Sequence, residues 1–177
     1  MEAGRLVGRL ELRLGNDPRA LDYAQRSVAA CHRCPEVTGA AVRVALGSER
    51  FDLAERWLRR LEPQLPGPAA HQARDRVRRV EHLSKLRRQA EGNLRLSLEA
   101  QRLALLELWG RAWRLLQPHR LAIISSGLES TVTLAELAFR SGDEAAARRL
   151  LQTHLGSAQI DRQMGRWRAG NRQVSPP

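Results

Sequence analysis

The residues that could do chemistry are few. Two cysteines occur, in Cys31-His32-Arg33-Cys34, and the other histidines (His71, His82, His119, His154) stand far away with no common spacing. A C-x-x-C redox site needs a strand-to-helix setting in which a helix N-terminus lowers the thiol pKa. Here the pair follows a helical pattern and nothing near it reads as a strand. Zinc needs four ligands, which this spacing does not supply. The cysteines are therefore expected to be ordinary thiols at a helix end, with a disulfide or a metal site as the alternatives. Ser125-Ser126 has no base near it in sequence, and no nucleophile elbow, zinc-protease, phosphate-loop or dinucleotide fingerprint is present. The expectation is a protein without enzymatic activity, cofactor or metal.

Charge is the second chemical signal. The 177 residues carry a formal net charge of +11, almost all of it from arginine, since Lys85 is the single lysine. Between residues 71 and 93 stand Arg74, Arg76, Arg78, Arg79, Lys85, Arg87 and Arg88, against Asp75, Glu81 and Glu91. Clustered arginines on a helix can neutralise phosphates, which makes RNA or DNA one candidate partner of segment 71–93. Against this, no aromatic is interleaved for base stacking. Several of the cations also have acids at neighbouring helical positions, as on a solvated helix. An excess of arginine attracts acidic proteins as readily.

The elements that must position these groups are helices. Leu6, Val7, Leu10 and Leu14 recur at about one helical turn and end at Gly15. Asp17-Pro18 opens a second helix with Ala20, Leu21, Ala24, Val28 and Ala29 as its apolar stripe, stopped by Cys34-Pro35. A third is expected from about Glu36 to Leu46 and a fourth from Phe51 to Leu61. Pro63, Pro66, Gly67 and Pro68 then break the chain. From Ala69 to Leu98, Ala73, Val77, Val80, Leu83, Leu86, Ala90 and Leu94 keep a three-or-four spacing, so one continuous long helix is expected there. Further helices are expected near 101–116, 128–140 and 143–154. The Gly, Ser, Gln, Arg and Pro content of 156–177 points to a basic, disordered tail. No apolar run reaches membrane-spanning length and no secretory leader is read at the start, so the expected setting is the cytoplasm.

Within this pattern an alanine returns with its surroundings. Gly15-Asn16-Asp17-Pro18-Arg19-Ala20 and Phe51-Asp52-Leu53-Ala54 each open a helix, and Ala54 follows Ala20 by 34 residues. Ala104 and Ala147 repeat the look at longer steps. Twelve residues earlier stand Gly8, Val42, Gly92 and Ala135, and four residues later Ala24, Leu58, Leu108 and Leu151. The strongest of these matches, Gly8…Gly15…Ala20 and Ala135…Gly142…Ala147, resemble the tetratricopeptide repeat, whose period is about 34 residues.

The resemblance implies an all-α fold: a tetratricopeptide-like array of helical hairpins forming a right-handed α-solenoid, with one long helix in the middle. It covers residues 1–155 as a single helical-repeat domain with hairpins at about 3–33, 36–62, 69–116 and 127–155. Gly8, Ala20, Ala54, Gly92, Ala104, Ala135 and Ala147 would be its structural repeat positions. Such hairpins need neighbours, because one pair alone cannot bury both faces. Family members hold protein or peptide segments in the groove lined by the first helix of each pair. By this register Arg5, Arg9, Leu12, Arg43, Gln89, Asn93, Leu96 and Phe139, with Leu46 and Glu136, face that groove. The chaperone-binding branch grips a terminal carboxylate with a Lys, Asn and Arg clamp. The matching places here hold Arg5 and Arg9, Ala40, and Leu86 and Ala90, so that ligand is not implied. Trp109 and Trp113, four apart, are expected in the core rather than as a ligand platform.

The implied function is a scaffold or adaptor binding a protein or peptide segment, acidic where it meets Arg5, Arg9 and Arg43. Two alternatives stand beside it: a helical-repeat protein associated with RNA or DNA through 71–93, and the repeat portion of a larger secretion or envelope assembly factor.

Overall fold

A computed structural model of the chain describes residues 19–31 and 33–172, and among them every regular element is helical. The elements are α1 (Ala20–Ala30), α2 (Pro35–Gly47), α3 (Phe51–Leu61), α4 (Gly67–Gln89), α5 (Gly92–Leu105), α6 (Trp109–Leu116), α7 (Arg120–Ser125), α8 (Leu128–Arg140), α9 (Glu144–Leu151) and α10 (Ser157–Arg172). Short 3-10 turns follow α3 at Glu62–Gln64 and α6 at Gln117–His119. The chain divides into two compact units, Met1–Ala90 and Glu91–Pro177.

In the first unit α1 packs on α2, α2 on α3, and α3 on α4, which also touches α2. Ala40, Ala41, Val44, Ala45 and Leu46 of α2 meet Leu53, Ala54, Trp57 and Leu61 of α3 in the core. Small residues on α2 let the two helices come close, and Trp57 and the leucines supply the buried area. Pro35 starts α2 from its first turn, where a missing N–H costs nothing. Cys31 and Cys34 differ from expectation: they are joined by a disulfide across the α1–α2 turn. That turn, closed by Cys34 N–H donating to the Cys31 carbonyl at 3.2 Å, sets the Cα atoms 5.5 Å apart, within reach of a disulfide.

The second unit pairs α5 with α6 and α8 with α9; α6 and α7 both pack on α8. Its core gathers Ala100, Leu103, Ala112, Trp113, Leu134, Ala135, Ala138, Phe139, Ala147, Leu150 and Leu151. Trp113 is thus a core residue as expected. Trp109 is half-buried, with the Arg140 guanidinium stacked 4.8 Å from its ring centre.

Three expectations for this part of the chain are corrected. The long helix stops at Gln89 instead of running to Leu98, because Ala90 and Glu91 are extended and Gly92 takes a positive φ of 54°. The helix expected at 101–116 is two, split at Leu106–Leu108. Of the tail expected to be disordered from Gly156, Ser157–Arg172 form α10, and 173–177 lie outside the described residues. Ile160, Met164 and Trp167, spaced by four and three, are buried in the core, and Trp167 sits with its ring 5.4 Å from that of Phe139. Arg148 to Asp161 at 2.7 Å and Arg168 to Glu144 at 2.8 Å tie α10 to α9.

Three hairpins in the chain, α2–α3, α5–α6 and α8–α9, turn the same way. In each, a residue at positive φ (Glu49 at 56°, Glu107 at 63°, Gly142 at 93°) follows the first helix. The N–H of the next residue then reaches back five positions: Arg50 to Ala45, Leu108 to Leu103 and Asp143 to Ala138, each at 2.9 Å. The positive-φ residue donates to the carbonyl three back, Glu49 to Leu46, Glu107 to Ala104 and Gly142 to Phe139. This pair of bonds is the Schellman stop. In each hairpin the fourth residue of the second helix is a fully buried alanine, Ala54, Ala112 or Ala147, each 0% exposed.

Ala54, Ala112 and Ala147 thus hold the same place in the three hairpins. Ala104, expected in that role, lies near the end of α5 and is half-buried. Gly92 is exposed at the start of α5, with nothing within 4 Å of a side chain placed there, so it is no helix-crossing residue. Twelve residues before the three alanines stand Val42, Ala100 and Ala135, all buried. Ala20 is buried at the start of α1, and Gly8 lies outside the described residues.

Candidate functional site

A hairpin buries one side of its first helix against its second and leaves a trough between that first helix and the next. Troughs of this kind are found among the described residues of each unit. In the first unit, α2 and α4 enclose about 200 Å³ lined by Gly39, Val42, Arg43 and Leu46 of α2, Leu58 and Leu61 of α3, and Ala69, Gln72, Ala73, Arg76 and Val77 of α4. Arg43, one of the expected groove residues, lines this trough together with Arg76, which the sequence register does not select. No carboxylate lines this trough.

In the second unit, α5 and α8 enclose about 410 Å³. Asn93, Leu96, Ser97 and Gln101 come from α5 and Glu129, Ser130, Thr133 and Leu134 from α8. The remaining lining, Leu116, His119, Ala122, Ile123 and Ser126, comes from the end of α6 and the insertion that carries α7. Polar groups surround a leucine and isoleucine surface, the composition of sites that orient a ligand by a few hydrogen bonds over apolar contact. Some of those polar groups are already engaged: Gln101 Nε2 donates to Ser97 Oγ at 3.3 Å, Thr133 Oγ1 to the Glu129 carbonyl at 3.0 Å and Ser126 Oγ to the Ala122 carbonyl at 2.9 Å. The third trough, between α8 and α10, encloses about 300 Å³.

The expected groove residues fall into four groups. Asn93 and Leu96 share the α5–α8 cavity, while Arg43 and Leu46 line the α2–α4 trough. Gln89 is exposed at the end of α4 and lines none of the three troughs, and Glu136 is bonded to Arg140 at 2.7 Å. Phe139 is a correction: it is buried in the core because α10 covers it with Trp167. Arg5, Arg9 and Leu12 lie outside the described residues.

The arginine-rich segment is α4, and its cations are largely tied to carboxylates of the same unit. Arg74 bonds Glu62 through two nitrogens, at 2.5 and 2.8 Å. Arg87 and Arg88 both reach Glu49, and Lys85 pairs with Glu81 at 2.8 Å. The Arg74 guanidinium bonded to Glu62 holds its carboxyl below the usual carboxylate range. Glu49 thus has two tasks, holding the α2–α3 turn at positive φ and collecting two arginines from the last turn of α4. Arg78 and Arg79 are exposed and make no ion pair with a described residue.

Among the described residues no three His, Cys, Asp or Glu side chains gather as a metal site would require, and no helix is long and apolar enough to cross a membrane. No protein-family model matches the chain, and no curated protein or solved structure matches it.

Proposed function

We propose that this chain is a non-enzymatic scaffold of the tetratricopeptide type, its hairpins stacked as a right-handed solenoid, binding a protein or peptide segment along the troughs between successive first helices. The observation that carries the reading is the threefold recurrence of one hairpin. The same Schellman stop, the same buried alanine at the fourth position of the second helix, and the same trough beside the first helix return at α2–α3, α5–α6 and α8–α9. Repetition of a supersecondary unit is what an extended binding surface requires. Arg43 and Arg76 give the first trough a positive charge with no carboxylate in its lining, which favours a segment that carries carboxylates.

The pairing of α4 weighs against the nucleic-acid alternative. Arginines committed to Glu62 and Glu49 have less to offer a phosphate backbone. The test is retention of partners from a native lysate on the immobilised chain. Arg43→Glu with Arg76→Glu is expected to lose a protein partner that Arg78→Glu with Arg79→Glu keeps. Nuclease-sensitive retention lost only in the Arg78/Arg79 variant would establish the nucleic-acid reading instead.

A further inference from the structure

The trough between α8 and α10 has two unlike walls. On α8 stand Leu128, 45% exposed, and Val132, one turn further on; Leu155 extends this apolar side. On α10 stand Arg162 and Arg166, also one turn apart, with Gln163 between them. Both arginines are exposed, and neither has an ion pair or hydrogen bond with a described residue. Two acids of α9 and α10 are engaged by other arginines, Asp161 by Arg148 and Glu144 by Arg168. No carboxylate lines the trough.

Each wall therefore presents the same side chain type twice at a four-residue helical step, a rise of about 6 Å. An extended chain repeats each of its faces every second residue, about 6.6–6.8 Å apart. We propose that this trough binds an extended segment in which acidic and apolar residues alternate. Its carboxylates meet Arg162 and Arg166, and its apolar side chains, pointing the opposite way, rest on Leu128 and Val132. The inference rests on the protein-binding reading above and adds to it the partner's chemistry and spacing. Protein is favoured over nucleic acid because one wall is aliphatic and holds no aromatic on which a base could stack.

The test uses the full chain and a short, end-blocked, fluorescein-labelled peptide of alternating Glu and Leu, read by anisotropy. A block peptide of the same composition, a Gln-for-Glu peptide and a uridine oligonucleotide are compared with it. The alternating peptide is expected to bind at least about tenfold more tightly than the block and Gln peptides, and Arg162→Glu with Arg166→Glu to lose at least about tenfold in affinity. Leu128→Ser should weaken it as well, and Arg149→Glu, an exposed charge on α9, should leave it unchanged. Circular dichroism and the thermal transition of the exposed-residue variants establish that they fold.

Equal binding of alternating and block peptides, no loss in the Arg162/Arg166 variant, or tighter binding of the oligonucleotide would each overturn the proposal. If binding is lost only in Arg43→Glu with Arg76→Glu, the alternating-segment site falls while groove binding stands. If neither arginine pair matters, both fall.

Discussion

Asp143 donates its backbone N–H to the carbonyl of Ala138 at 2.9 Å, and its carboxylate accepts the N–H of Ala146 at 2.9 Å, so one residue closes α8 and opens α9. The backbone half of this relationship recurs at Arg50–Ala45 and Leu108–Leu103; the side-chain cap does not. The hairpins are thus repeated through their main chain, with side chains free to differ.

The positive-φ position between the two helices is the first point at which this can be tested. Gly142 has nothing within 4 Å of an added methyl, so Gly142→Ala meets only the backbone penalty of the left-handed region. It is expected to destabilise the second unit by about 1 kcal/mol in denaturant unfolding. Glu107→Gly should be neutral or stabilising. Destabilisation by Glu107→Gly would show that its side chain matters more than its φ.

The corrected register predicts where bulk is refused. Ala54, Ala112 and Ala147 are fully buried at close helix crossings, and tryptophan at any of them should cost about 1–3 kcal/mol or more. Ala104→Trp should cost less than Ala112→Trp by about 1 kcal/mol, because Ala104 is half-buried near the end of α5. Thermal melts of the four variants decide it, and an equal cost at 104 and 112 would return the register to its sequence-based form.

The helix α10 is part of the core, and Trp167 is its largest buried anchor. Trp167→Ala removes a buried indole facing Phe139 and is expected to cost about 3–5 kcal/mol. A chain ending before Ser157 should lose cooperative unfolding of the second unit. An unchanged melt after either alteration would mean that 157–172 is a passenger.

Acid should weaken the first unit partly through Glu62. Arg74 lowers the folded-state pKa of this carboxyl, so its contribution is present above the ordinary glutamate range and is lost as pH falls through the lowered value. Wild type should therefore exceed Glu62→Gln in denaturation midpoint near neutral pH, with the gap closing as pH falls from the ordinary glutamate range through the lowered value. A gap that stays constant over that span would remove the pair from the acid response.

Much of the fold can be read directly from residue spacing. The α2 and α3 boundaries follow from Pro35, Gly47 and the Leu53–Ala54–Trp57–Leu58–Leu61 face, and α8 from its run of small and apolar residues up to Ser141-Gly142. The α5–α6 turn is hidden because Glu107, not glycine, takes the positive φ, so nothing in Leu105–Trp109 marks a stop and spacing alone points to Ala104. The helix α10 is hidden by composition. Its stripe is only Ile160, Met164 and Trp167 among glutamines, arginines and glycines, and with it went Arg162, Arg166 and the covering of Phe139. Arg43 is named by the alanine register of the repeat resemblance, and Asn93 and Leu96 line a trough although the register that names them is anchored at Ala104. Arg76 depends on how α4 crosses α2, which periodicity within one helix does not record.

Site-directed photo-cross-linking tests the groove reading most directly. A benzophenone side chain placed at Gln101 or Thr133 looks into the α5–α8 cavity, and one placed at Arg78 lies on the exposed face of α4. Irradiation in native lysate is predicted to give the same discrete protein adduct from positions 101 and 133 and none from 78. Adducts from 78 alone, whether to protein or to RNA, would contradict the assignment of binding to the troughs between first helices.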